Sequence, residues 1–184
     1  LEYTYATDTT AETAIITGYT GSDTSIILPS TLGGCPVTEI AAYAFENNTT
    51  LLDVTFPESI ITIGSYAFAG CTGLTGLELP DSVATIGACA FQNCTNLVSV
   101  NYPLSLNNCG GYIFEGCSGL TSTTVPEGVT AIADNAFEGC TYLETVTLPS
   151  TVTSIGVDAF FGCTGLGGII LPDGLTSIGH YAFA

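Results

Sequence analysis

The stretch Leu79-Pro80-Asp81-Ser82-Val83-Ala84-Thr85-Ile86-Gly87-Ala88-Cys89-Ala90-Phe91-Gln92-Asn93-Cys94 decides the fold, because its pattern returns in register along the chain. Working outward from Phe91, a Phe recurs every 23 residues at Phe45, Phe68, Phe114, Phe137, Phe160 and Phe183. Pro follows twelve positions after Phe at Pro57, Pro80, Pro103, Pro126, Pro149 and Pro172, and Leu six after it at Leu51, Leu74, Leu97, Leu120, Leu143 and Leu166. Cys stands three after Phe at Cys71, Cys94, Cys117, Cys140 and Cys163, with Asn48 in the first slot. Ile stands five before Phe in every unit except one, where Cys109 replaces it. A repeat of this length marks a solenoid, in which no unit buries its own apolar residues and stacked coils bury them against one another.

Each unit reads as a strand, a second extended piece and a turn. Leu143 to Leu148 is the strand, and Pro149 ends it because Pro has no N–H for a ladder. Val152 to Ile155 is the second extended piece, after which Gly156 permits a turn. Ala159–Phe160 is expected to carry the chain round as one helical or 3₁₀ turn, and Gly162 leads into the next coil. Strand stacking at about 4.8 Å per coil makes seven coils roughly 35 Å long. The fold class is therefore a repeat solenoid of short parallel strands. Residues 1–25 fall outside the register, and alternation around Thr13 to Tyr19 predicts an N-terminal capping β-hairpin; residues 26–184 form the solenoid of about seven coils, one domain overall. The coil containing Asn101-Tyr102-Pro103-Leu104-Ser105-Leu106-Asn107-Asn108-Cys109 lacks Thr-x-Ile-Gly, and its turn is expected to be displaced.

Composition excludes several functions. The 184 residues hold 17 Asp plus Glu, one His and no Lys or Arg, for a formal net charge of −17. Nucleic-acid binding needs cations to neutralise phosphates, as do docking on anionic lipid and P-loop phosphate binding. No apolar run is long enough to insert in a membrane as a helix. Trypsin has no cleavage site in the chain.

The motifs Leu79 to Cys94 and Leu171 to Phe183, with the opening Gly18-Tyr19-Thr20-Gly21-Ser22, Ile27-Leu28-Pro29 and Val37-Thr38-Glu39-Ile40, resemble the BspA-like, or Treponema-type, leucine-rich repeats. The resemblance covers nearly the whole chain. It implies a right-handed curved solenoid, a secreted or cell-surface location, adhesion or protein binding, and no catalytic residues. The concave strand face is then the expected binding surface, with Thr75, Glu78, Val98, Asn101, Thr121, Thr124, Glu144 and Thr147 in its outward slots. These are small and mostly polar, which suits weak or multivalent binding to a protein or cell-surface ligand.

Three further groups of residues bear on chemistry. The Cys ladder reads as buried small hydrophobes, since stacked equivalents about 4.8 Å apart exceed the usual disulfide Cβ separation. Cys35, Cys89 and Cys109 break the register, and a Cys89–Cys109 bridge stays open as an alternative in an oxidising compartment. No cofactor is expected: carboxylates on adjacent coils such as Glu58 with Asp81 and Glu115 with Glu138 read as solvated acids screened by salt, and Ca²⁺, their natural neutraliser, stays open as an alternative. His180 sits in a variable slot with no recurrent nucleophile or orienting partner, so no enzyme is expected. An alternative function is a structural subunit assembling head to tail into filaments, with Tyr181 and Phe183 meeting Ile15, Ile16 and Tyr19 of a second copy.

Overall fold

The computed structural model describes residues 2–103 and 108–184, so Leu104 to Asn107 of the irregular coil lie outside the described residues. The chain begins with β1 (Tyr3–Asp8) and β2 (Thr13–Tyr19), an antiparallel hairpin. Next come β3 (Ser25–Ile27), β4 (Thr31–Leu32) and β5 (Cys35–Ile40). Short strands of two kinds then alternate: β6 (Asp53–Thr55), β7 (Thr62–Ile63), β8 (Gly76–Glu78), β9 (Thr85–Ile86), β10 (Ser99–Asn101) and β11 (Asn108–Cys109). The last are β12 (Ser122–Thr124), β13 (Ala131–Ile132), β14 (Thr145–Thr147), β15 (Ser154–Ile155) and β16 (Ser177–Ile178).

The two kinds of strand stack into two parallel ladders. The three-residue strands come from the Leu-x-x-Val-x-Leu segment and pair as β3–β6 and as β8–β10–β12–β14. Their middle residues, such as Val54, Leu77, Val100 and Val146, point inward, because side chains alternate along a strand. The two-residue strands from β7 onward end on the repeat Ile, or on Cys109 in β11; with the longer β2 and β5 they pair as β2–β5–β7–β9–β11 and as β13–β15–β16. The repeat Ile side chains Ile40, Ile63 and Ile86 are buried there in register.

The turn side is bonded between coils as well. Phe N–H groups donate to the next coil, from Phe68 to Ala90 O at 2.8 Å and from Phe137 to Ala159 O at 2.8 Å. The helical or 3₁₀ turn expected around Ala159–Phe160 is not formed, and no helix occurs among the described residues. The residue two before each Phe takes a left-handed conformation instead, at Tyr43, Tyr66, Cys89, Tyr112, Asn135, Asp158 and Tyr181, with φ between 53° and 64°. A left-handed residue cannot continue a right-handed helix.

The core is a stack of rings. Phe45, Phe68, Phe91, Phe114, Phe137, Phe160 and Phe183 follow one another at centroid distances of 4.8 to 5.7 Å, with interplanar angles of 20° or less. Tyr19 of the hairpin stacks on Phe45 at 5.7 Å and Tyr3 meets Tyr19 at 5.1 Å, which carries the ladder into the cap. β2 joins the second ladder through β5, and Ala14 and Ile16 are completely buried beneath it.

Candidate functional site

The outward slots of the first ladder form a regular exposed surface. Residues on either side of each buried middle residue face solvent, so Asp53 and Thr55, Ser122 and Thr124, and Thr145 and Thr147 are exposed. Of the residues expected on this face, Thr75, Glu78, Val98, Thr121, Thr124, Glu144 and Thr147 are exposed. Asn101 is half-buried and does structural work that its slot did not announce. Its Oδ1 accepts from the Leu79 N–H at 2.7 Å and its Nδ2 donates to the Leu79 carbonyl at 3.0 Å. At the β3–β6 and β12–β14 junctions the equivalent N–H bonds to backbone instead, from Leu28 N to Thr55 O at 2.9 Å and from Val125 N to Thr147 O at 3.0 Å.

Four carboxylates converge on this face. Asp53, Glu58, Glu78 and Asp81 line one groove of about 420 Å³ that Asn101 also borders. Glu58 and Asp81 of the calcium alternative are therefore brought together, with two further acids that sequence spacing did not pair with them. A second groove of about 400 Å³ follows along the same face, lined by Ser99, Asn101, Tyr102, Ser122, Thr124 and Pro126 among others. Glu115 and Glu138 lie on the turn side, where Gln92 Nε2 donates to Glu115 and Asn135 Nδ2 donates to Glu138 at 2.6 Å. Among the described residues no group of three His, Cys, Asp or Glu side chains is placed to hold a metal ion.

The thiols are more than fillers. Cys71, Cys94, Cys117, Cys140 and Cys163 each donate Sγ–H to the carbonyl of the Phe one coil earlier, at 3.1 to 3.3 Å. Burial pushes the Cys71 thiol up to about 12 and Cys163 to about 11, and it also raises Cys117 and Cys140. A thiolate, the reactive form, is disfavoured in such surroundings. All eight cysteines are free. The Cys89–Cys109 bridge is thus not formed: Cys109 extends the buried Ile ladder beside Ile86, whereas Cys89 occupies the left-handed turn slot.

His180 is exposed, with the Tyr181 ring 6.4 Å from its own. The expected assembly residues divide. Tyr181 is 70% exposed and Phe183 42% exposed, but Ile16 is completely buried and Ile15 and Tyr19 are half-buried. Ile16 therefore cannot offer a docking surface while the hairpin is closed, because β2 turns it onto the core rather than away from it.

The description of the family model that matches is "BspA type Leucine rich repeat region (6 copies)", and it covers residues 19–143 and 130–184. A leucine rich cell surface protein from Faecalibacterium prausnitzii is 35% identical, with a TM-score of 0.84 over 100% of this chain and 50% of that chain. The chain thus spans half the length of that protein. A leucine rich repeat protein from Treponema pallidum is 35% identical, with a TM-score of 0.72 over 90% of this chain and 88% of that one. A leucine-rich repeat protein from Bacteroides ovatus, 24% identical with a TM-score of 0.58 over 97% of this chain and 60% of that one, shares the fold. No curated protein matches the chain.

Proposed function

From the premise that the chain belongs to the BspA type leucine rich repeat family, we propose that it is a non-enzymatic, cell-surface or secreted binding module whose first-ladder face contacts a cationic protein partner. One observation carries the reading: a chain with 17 acids and no Lys or Arg gathers four of its carboxylates along a groove on its first-ladder face. Every positive charge in an interface must then come from the partner, apart from the single His. Complementary charge of this kind raises the association rate and selects the partner more than it deepens affinity. The adhesive role and the surface location rest on the family and on the cell-surface relative.

Self-assembly is the competing proposal. It retains the exposed Tyr181 and Phe183, but loses Ile16 as a contact and must bring together two chains of like charge.

The test is binding to immobilised peptides of equal length that are rich in Lys and Arg, neutral, or rich in Glu. The cationic set should bind, the affinity should fall as NaCl is added, and Glu78→Gln combined with Glu144→Gln should weaken it. Equal binding to the three sets, or indifference to both substitutions, would reject the reading.

A further inference from the structure

Among the described residues the second ladder is interrupted once between coils. It runs continuously to β11, stops, and resumes as β13–β15–β16. β11 itself keeps its place, with Cys109 opposite Ile86 and Gly110 N–H donating to Ile86 O at 2.9 Å. β11 is thus paired with the coil before it, and among the described residues the gap lies on the side facing the coil of Phe137.

The residue after the Ile slot explains the position of the gap. Gly64, Gly87, Gly110, Gly156 and Gly179 fill that slot, and their N–H groups donate to the preceding coil at Ile40, Ile63, Ile86, Ile132 and Ile155, at 2.8 to 2.9 Å. A Cβ on any of them would drive into the backbone of that coil; on Gly156 it would stand 2.6 Å from Asp134 N and 2.7 Å from Ala133 C. Backbone cannot yield as a flexible side chain does. The coil of Phe137 carries Ala133 in this slot, and the same register places its Cβ against Gly110 and Gly111. Among the described residues no backbone bond joins Ala133 to Cys109. Ala41 also fills the slot, yet its N–H still donates to Ile16 O at 2.8 Å. There the neighbour is β2, which runs straight on to Tyr19 instead of turning beneath the methyl.

The other two sides of this junction are intact. β10 pairs β12 in register, and Tyr112 N and Phe114 N donate to Asp134 O and Ala136 O at 3.0 and 2.9 Å. The first ladder has its own interruption, between β6 and β8, but Thr75 N still reaches Leu52 O at 3.4 Å there.

We propose that the junction between the Phe114 and Phe137 coils is a hinge set by the Ala133 methyl, which divides the solenoid into two cooperative blocks that open along the second-ladder side. In a stacked array, stability is the sum of units and nearest-neighbour interfaces, so an interface at which β11 and β13 do not pair opens first. Local opening of this kind is read by amide exchange. A hinge here changes the spacing of the second groove on the opposite face, which spans β10 and β12.

The experiment is residue-resolved hydrogen exchange on the whole chain and on Ala133→Gly. After correction for intrinsic rates, the Ala133 amide should exchange at least about tenfold faster than those of Gly110, Gly156 and Gly179. Ala133→Gly should bring position 133 to the protection of Gly156 and slow exchange at Ile132. Gly156→Ala should do the reverse, lowering protection at position 156 while leaving Gly110 unchanged. An Ala133 amide as protected as Gly156, or an Ala133→Gly variant whose exchange at 132 and 133 is unaltered, would overturn the proposal.

Discussion

Replacing Phe137 by Ala removes one ring from the middle of the stack and leaves the backbone as it was. Phe137 is completely buried, stacked on Phe114 at 5.7 Å and on Phe160 at 5.3 Å. Its N–H bonds to Ala159 O and its carbonyl accepts from Cys163 Sγ, and an Ala at 137 retains both. The loss is therefore the ring, its burial and two stacks. Truncation of a buried Phe costs about 3–5 kcal/mol. Loss of two ring pairs, at about 0.5–1.5 kcal/mol each beyond burial, places this site in the upper half of that range. For a chain of this size, roughly 2–4 °C per kcal/mol converts a 4 kcal/mol loss to a fall of about 8–16 °C in Tm. The control is Phe161→Ala, whose ring is 41% exposed and which should cost under about 1 kcal/mol. Thermal and urea unfolding followed by circular dichroism measure both. Equal losses at the two positions would show that the register does not decide burial, and the stacking argument would fail.

Other outcomes follow from the same core. Cys140→Ser should be milder than Cys140→Ala in urea midpoint, because a Ser hydroxyl can still donate to the Phe114 carbonyl; Ser worse than Ala would mean that the slot accepts only an apolar group. Thr123 fills an inward slot held elsewhere by Val100 and Val146, and its hydroxyl is buried without a partner, so Thr123→Val should stabilise by about 1 kcal/mol; a loss would mean that the hydroxyl is satisfied. Alkaline pH should unfold the chain. The thiol of Cys71 lies near 9 when unfolded and about 12 when folded, so between those values only the unfolded state releases the proton and stability falls as pH rises, by about 1.4 kcal/mol per unit for such a thiol. A Tm unchanged from pH 8 to 11 would refute the buried-thiol account.

The coil, its 23-residue register and the inward Phe, Leu, Ile and Cys slots were legible because each recurs, and recurrence at a fixed period reports a shared environment. What depended on single residues was not. The left-handed turn slot holds Tyr, Cys, Asn and Asp, a mixture with no common propensity, so a helical turn looked equally compatible. Tyr19 stacks on Phe45 from outside the register, and only the hairpin's pairing with β5 brings it there. The Cys bond to a carbonyl three residues beyond one full period involves a backbone acceptor, which a side-chain pattern does not mark. Charge legibility was partial: Glu58 and Asp81 share a slot and were paired from sequence, whereas Asp53 and Glu78 come from different slots and meet them only around the groove.

The measurement that bears most directly on the first-ladder face as the binding surface is a comparison of one bulky substitution on each side of the solenoid. Thr124 is exposed on that face and Thr141 is exposed on the turn side, so Thr124→Trp and Thr141→Trp are matched in chemistry. Each is titrated against the cationic peptide that the unmodified chain binds best, once equal Tm values have shown that both variants are folded. Thr124→Trp should weaken binding by about tenfold, the equivalent of about 1.4 kcal/mol, and Thr141→Trp should leave it unchanged. Loss of binding at Thr141 with full binding at Thr124 would contradict the assignment and move the binding surface to the turns.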